Sequence, residues 1–231
     1  MFKKIISSTL AIFILFSFSV SISATESNRD KTLNSLKAQL EAIEEIGDTN
    51  QIKEYKDKSR KLINNNEVNL NAENINYDNS RLVKFKNTQQ KALVLQVSSN
   101  DSTYHEMSNF AIYFDSNNNV LATTEFLVSE SKTGTFKFDY YINDNKEFTQ
   151  VSKEKFFTEK EYENSKITPA VDWDGFLKCM GITGALVGPL QVACTSACAI
   201  PGVGTAVCVG CIGVTIGLPS GSLIGCLTSN W

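Results

Sequence analysis

Six cysteines, Cys179, Cys194, Cys198, Cys208, Cys211 and Cys226, are the residues whose type and spacing could do chemistry, and all follow Trp173. The inner four run Cys-x3-Cys, nine residues, Cys-x2-Cys. Zinc binding, thiol redox exchange and disulfide bonding are the chemistries that such a pattern can serve. Zinc would need polar groups to orient the thiolates, and the flanking sequence is apolar. A redox Cys208-x2-Cys211 pair would need a βαβ setting, which this glycine-rich run does not supply. An even cysteine count in an exported chain points to bridges, so disulfides are expected, with no metal and no cofactor.

The spacing also suggests how the segment folds. Pairing Cys179 with Cys226, Cys194 with Cys211 and Cys198 with Cys208 nests all three pairs about Pro201-Gly202-Val203-Gly204, a strong turn signal carried by Pro201, Gly202 and Gly204. A helical hairpin bent there would face the pairs, although six cysteines allow fifteen connectivities. Gly184 and Gly188, then Gly213, Gly217, Gly221 and Gly225, repeat every four residues. On a helix that spacing makes one bare face, through which helices approach closely in lipid. The plainer alternative is a close-packed soluble peptide, in which glycine costs about 0.8–1 kcal/mol per helical site and disulfides at about 2–4 kcal/mol each offset it. Pro219 argues against one long straight helix.

The rest of the chain must export and position this segment. Lys3 and Lys4 precede an apolar run from Ile5 to Val20, and Ser21, Ile22, Ser23 and Ala24 end it as a signal peptide ends. We therefore expect a signal peptide over 1–24, the general secretory route and secretion to the extracellular space. All 25 acidic residues lie between Glu26 and Asp174, whereas Lys178 is the one charged side chain from Gly175 onward. Two chemically distinct modules share the chain: an acidic one over 25–168 and an apolar, cysteine- and glycine-rich one over 175–231, joined by 169–174. No basic stripe with interleaved aromatics is present, which excludes nucleic acid as the expected partner.

Within the acidic module, Leu33, Leu36, Leu40, Ile43 and Ile46 recur at helical spacing and predict an amphipathic helix capped by Gly47. A second helix with Ile52, Tyr55, Leu62 and Ile63 leads into an asparagine-rich linker. From about Leu82 to Phe148 the period becomes two, as in Phe110, Ile112, Phe114 and Phe136, Phe138, Tyr140, which predicts a meander of four or five antiparallel strands. A short helix is conceivable between Lys153 and Thr168. The fold class expected is an α+β N-terminal module (helices plus an antiparallel meander sheet) followed by a disulfide-rich, mainly α-helical C-terminal peptide. Asp115, Asn117 and Asn119 imitate the start of a calcium loop, but Val120 replaces the required glycine, so a hairpin turn is expected. His105, the single histidine, reads as a surface residue.

The Ala193-Cys194-Thr195-Ser196-Ala197-Cys198, Cys208-Val209-Gly210-Cys211-Ile212-Gly213 and Gly225-Cys226-Leu227 patterns, behind a signal sequence and a soluble module, resemble the halocin-like cysteine-rich bacteriocin precursors. That resemblance implies a C-terminal peptide cleaved free to kill related cells and an N-terminal part engaged in self-protection. The chain departs from the type member in having fewer cysteines and no twin-arginine signal. We expect a precursor whose released antibacterial peptide permeabilises the membranes of competing cells. Its partners would be its own N-terminal module and the secretion and processing proteases. The rival reading is an uncleaved exported protein whose apolar hairpin anchors the N-terminal module to a membrane. An enzyme is not expected, since no nucleophile motif, acid–base pair or metal constellation is present.

Overall fold

The computed structural model describes residues 43–86, 88–98 and 104–158 together with Pro189, Val192, Ala193, Cys194, Cys211 and Val214. Strand makes up 50% and helix 19% of them. The strands are β1 (Ile43–Glu45), β2 (Ile75–Phe85), β3 (Lys91–Val97), β4 (Asn109–Phe114), β5 (Val120–Glu130), β6 (Thr135–Ile142) and β7 (Asn145–Lys155). They form one antiparallel sheet in the order β1-β2-β3-β4-β5-β6-β7. Among the described residues one complete helix, α1 (Thr49–Asn64), runs between β1 and β2.

This corrects the α+β expectation with its mainly α-helical C-terminal peptide. The described residues are half strand, in one seven-stranded sheet, and 19% helix, and they do not support a mainly α-helical C-terminal peptide: the six described positions of the cysteine segment are each helical but too few to define an element. The predicted first helix is also corrected at its end. Ile43, Glu44 and Glu45 pair with Phe85, Lys84 and Val83 instead, and Ile43 is buried on the sheet. Sheet pairing there overrides a local helical period. The remainder of that predicted helix, the signal segment and the 169–174 junction lie outside the described residues.

The second predicted helix forms where expected. Asp48 caps it, its Oδ1 accepting the Asn50 and Gln51 amides at 2.8 and 3.3 Å. At the other end Asn66 takes a left-handed φ of 55° and ends the helix. The meander is longer than the four or five strands expected, because β7 carries it to Lys155. Lys153–Lys155 is therefore strand, not the start of a helix.

Side-chain alternation explains why both sheet faces are apolar at its centre. One face carries Leu82, Leu93, Leu95, Phe110, Ile112 and Phe114, and α1 covers it with Tyr55, Ile52, Leu62 and Ile63. The other carries Val83, Val94, Tyr113, Phe126, Phe138 and Tyr140 among others. Every residue of β4 is buried, since strands covered on both sides have no solvent side to supply.

The turns obey local chemistry. Asp115 Oδ1 accepts the Asn117 and Asn119 amides at 2.8 and 2.7 Å while Asn118 sits at a φ of 65°, so this is the expected hairpin turn and not a calcium loop. Between β6 and β7, Asn143 and Asp144 take φ values of 47° and 67°, the two-residue arrangement that matches strand twist.

Candidate functional site

The sheet face opposite α1 is where the two modules meet. Ala193, Cys194, Cys211 and Val214 from the cysteine segment share one buried cluster with Phe126, Val128, Phe136, Phe138, Tyr140 and their neighbours. Three of the four segment residues, Ala193, Cys211 and Val214, are 0% exposed and Cys194 is 7% exposed. The alternation Phe136-x-Phe138-x-Tyr140 on β6 sends all three rings to this face, and Phe126 on β5 stacks near Phe138 at 6.2 Å between ring centroids. Phe136 and Phe138 are themselves stacked at 6.0 Å. A cluster of this breadth facing water would be an exposed apolar patch, so a covering partner is physically required.

The cover is chemically defined at one point. Cys194 and Cys211 form a disulfide, with Cα atoms 5.3 Å apart and a sequence separation of 17. It is the middle of the three nested pairs read from the spacing. Cys179, Cys198, Cys208 and Cys226 lie outside the described residues, as do Gly184, Gly188, Gly213, Gly217, Gly221 and Gly225 and the turn residues Pro201, Gly202 and Gly204.

Two buried phenols sit on the same face. Tyr113 and Tyr140 are each 1% exposed, and neither hydroxyl has a hydrogen bond of good geometry among the described residues. Burial pushes both phenols well above their ordinary range, with Thr124 close enough to oppose part of that rise. Unpaired hydroxyls in an otherwise apolar cluster cost stability and mark where packing, not polarity, is selected.

His105 corrects another expectation: it is 4% exposed, not a surface residue. Its ring lies edge-on to Phe136 and Phe156, and its Nδ1 accepts the Met107 amide at 3.2 Å. Burial lowers its pKa from the usual value, and Glu106, with Oε2 3.7 Å from Nδ1, works in the opposite direction. Sequence reasoning placed it outside because its neighbours Tyr104 and Glu106 are polar. The aromatic cluster that receives it comes from β6 and from Phe156, which are distant in sequence.

The other side of β5 and β6 is polar and structural. Glu125 accepts the Asn71 amide through Oε2 at 2.9 Å and the Ala72 amide through Oε1 at 2.7 Å. These bonds fasten the asparagine-rich segment across the sheet, so it is a packed strap and not a free linker. Asp139 binds Lys137 at 2.7 Å and Lys146 at 3.1 Å, and these contacts lower its pKa against the opposing effect of burial. Among the described residues, no three His, Cys, Asp or Glu side chains gather as metal ligands, and no helix is long and apolar enough to cross a membrane.

The family model Gpos_C8-like, described as "Putative immunity protein/bacteriocin", matches residues 22–217, which takes in the sheet, the disulfide and the chain between them. No curated protein and no solved structure matches the chain significantly.

Proposed function

From the membership of this chain in the bacteriocin-related Gpos_C8-like family, which residues 22–217 match, we propose that it is a secreted bacteriocin precursor with a built-in shield. The N-terminal sheet module holds the apolar cysteine segment until proteolysis, and the segment released then acts on the membrane of competing cells. The family supports a bacteriocin-related role. The finer reading rests on one observation, the burial of Ala193, Cys194, Cys211 and Val214 among the aromatic side chains of the sheet.

From Gly175 to Trp231 the chain carries one charged side chain, Lys178, and would not remain dispersed in water without cover. The sheet gains by the same contact, because each large apolar side chain that it buries contributes about 1.5–3 kcal/mol. Removing one module therefore exposes the other, which is the behaviour required of a shield over a membrane-active peptide. The resemblance to halocin-like precursors supports self-protection as the purpose of that cover. Cleavage fits best between Lys166 and Lys178, where composition changes and all six cysteines stay on one product. The reading assigns the chain no catalysis and no cofactor.

Mass spectrometry of culture medium, with and without reduction, tests this. A peptide that begins in that interval and gains mass on reduction and alkylation of bridged cysteines is the expected product. An active culture holding only chain that runs from the sheet module through Trp231 would overturn release, and finding that chain in the membrane fraction would favour an anchor.

A further inference from the structure

We propose that the aromatic face of β2–β6 templates the Cys194–Cys211 bridge, so that the N-terminal module is an oxidative-folding scaffold for the cysteine segment as well as its shield. The inference rests on the docking invoked in that shielding role.

A six-cysteine segment left to itself has fifteen ways to pair, and a given pair occurs in one fifth of them by counting. The segment is poorly equipped to choose. It holds 11 of the 13 glycines, whose backbone entropy opposes any single arrangement. The sheet supplies the missing information through two anchors, Ala193 next to Cys194 and Val214 three residues after Cys211, both fully buried in the cluster of Phe126, Phe136 and Phe138. With both seated, the two cysteine Cα atoms stand 5.3 Å apart, inside the span that a disulfide bridges. Docking thereby raises the effective concentration of one thiol at the other above that of the competing pairs.

The chemistry is thiol–disulfide exchange with a small-molecule disulfide such as oxidised glutathione. One cysteine first forms a mixed disulfide and releases one glutathione thiol. The thiolate of the other then attacks the protein sulfur, the Cys194–Cys211 bond forms, the mixed bond breaks and the second glutathione leaves as thiolate. Two protein thiols have lost two electrons and two protons, which the oxidant carries as two thiols. Burial completes the selection, because a third thiolate cannot reshuffle a bridge that it cannot reach.

The test refolds the reduced full chain in a glutathione redox buffer and maps bridges by mass spectrometry, for wild type, Val214→Asp and Phe138→Ala. Circular dichroism reports the sheet, and limited proteolysis reports docking of the segment. Wild type is expected to place most molecules in the Cys194–Cys211 pairing. Both variants are expected to fall towards about one fifth, the value for unbiased pairing. Val214→Asp leaves the sheet sequence untouched and decides the matter if Phe138→Ala does not fold. A folded, undocked Val214→Asp chain that still pairs Cys194 with Cys211 as wild type does overturns templating while leaving the shield intact. A wild-type segment open to protease in the folded chain overturns both.

Discussion

The imidazole of His105 stands edge-on to the ring of Phe136, their centroids 5.8 Å apart, at the rim of the cluster that receives the cysteine segment. A proton on that ring would lose its hydration, and Glu106, with Oε2 3.7 Å from Nδ1, offsets only part of that cost. Burial lowers the folded-state pKa from 6.5, while the unfolded chain keeps the ordinary value. Stability from the neutral ring is thus fully present above about pH 6.5 and is lost as pH falls towards the lower folded value, beyond which the loss stops growing. Glu125, whose pKa burial raises, changes stability with pH in the opposite sense. The contribution of His105 is isolated by comparison with His105→Gln, which cannot take the charge. Urea unfolding from pH 7 to 5 should show a smaller acid loss in the variant; equal slopes would refute the assignment.

Glu125 holds two backbone amides of the asparagine-rich strap, so Glu125→Gln replaces one acceptor with a donor that faces an N–H. A cost of about 1–3 kcal/mol at pH 7 is expected for the unsatisfied donor. Hydrogen exchange at Asn71 and Ala72 should quicken along with it. Exchange unchanged at these two amides would mean that the strap is held by other contacts.

Tyr113→Phe and Tyr140→Phe remove hydroxyls that are buried without a well-formed hydrogen bond. Each is expected to leave stability unchanged or to raise it by about 1 kcal/mol, since the hydroxyl is desolvated for little return. Chemical denaturation measures this directly. A loss of similar size in either variant would show that the contact with Thr124 stabilises that phenol.

The Cys194–Cys211 bridge, with Cys211 wholly buried, should resist dithiothreitol in the native full chain. Alkylation followed by mass spectrometry is expected to find reduction slower by about tenfold or more than in denaturant, because exchange requires access to sulfur. Cleavage between the modules followed by separation should remove that protection. Equal rates in the native and denatured chains would place the bridge outside the cluster.

Much of the sheet was legible because period-two alternation is a short-range signal: Phe110, Ile112 and Phe114, and Phe136, Phe138 and Tyr140, announce β4 and β6 from local sequence. Asp115 and Asn119 announced the turn equally well. Ile43 misled, because Leu33, Leu36, Leu40, Ile43 and Ile46 fit a helix and the pairing that takes Ile43 into a strand is supplied by Phe85, far along the chain. His105 misled for the same reason. Cysteine spacing suggested Cys194 with Cys211 as one of the nested pairs but could not select it. The face that buries the bridge is assembled from strands β2 to β6, and no window of sequence contains it.

The sheet order, in which each strand lies beside the strand made immediately before it, has a temporal consequence. Every pairing from β2 to β7 joins neighbours along the chain, and none needs a residue beyond Lys155. Near-neighbour topologies of this sort close early, and N-terminal units generally fold first as the polypeptide emerges. Cys194 is made 39 residues after the last strand residue, Lys155, so the receptor can be assembled before its cargo exists. The apolar segment thus follows a sheet that needs none of its residues to pair, and chain direction alone sets the order of the two events.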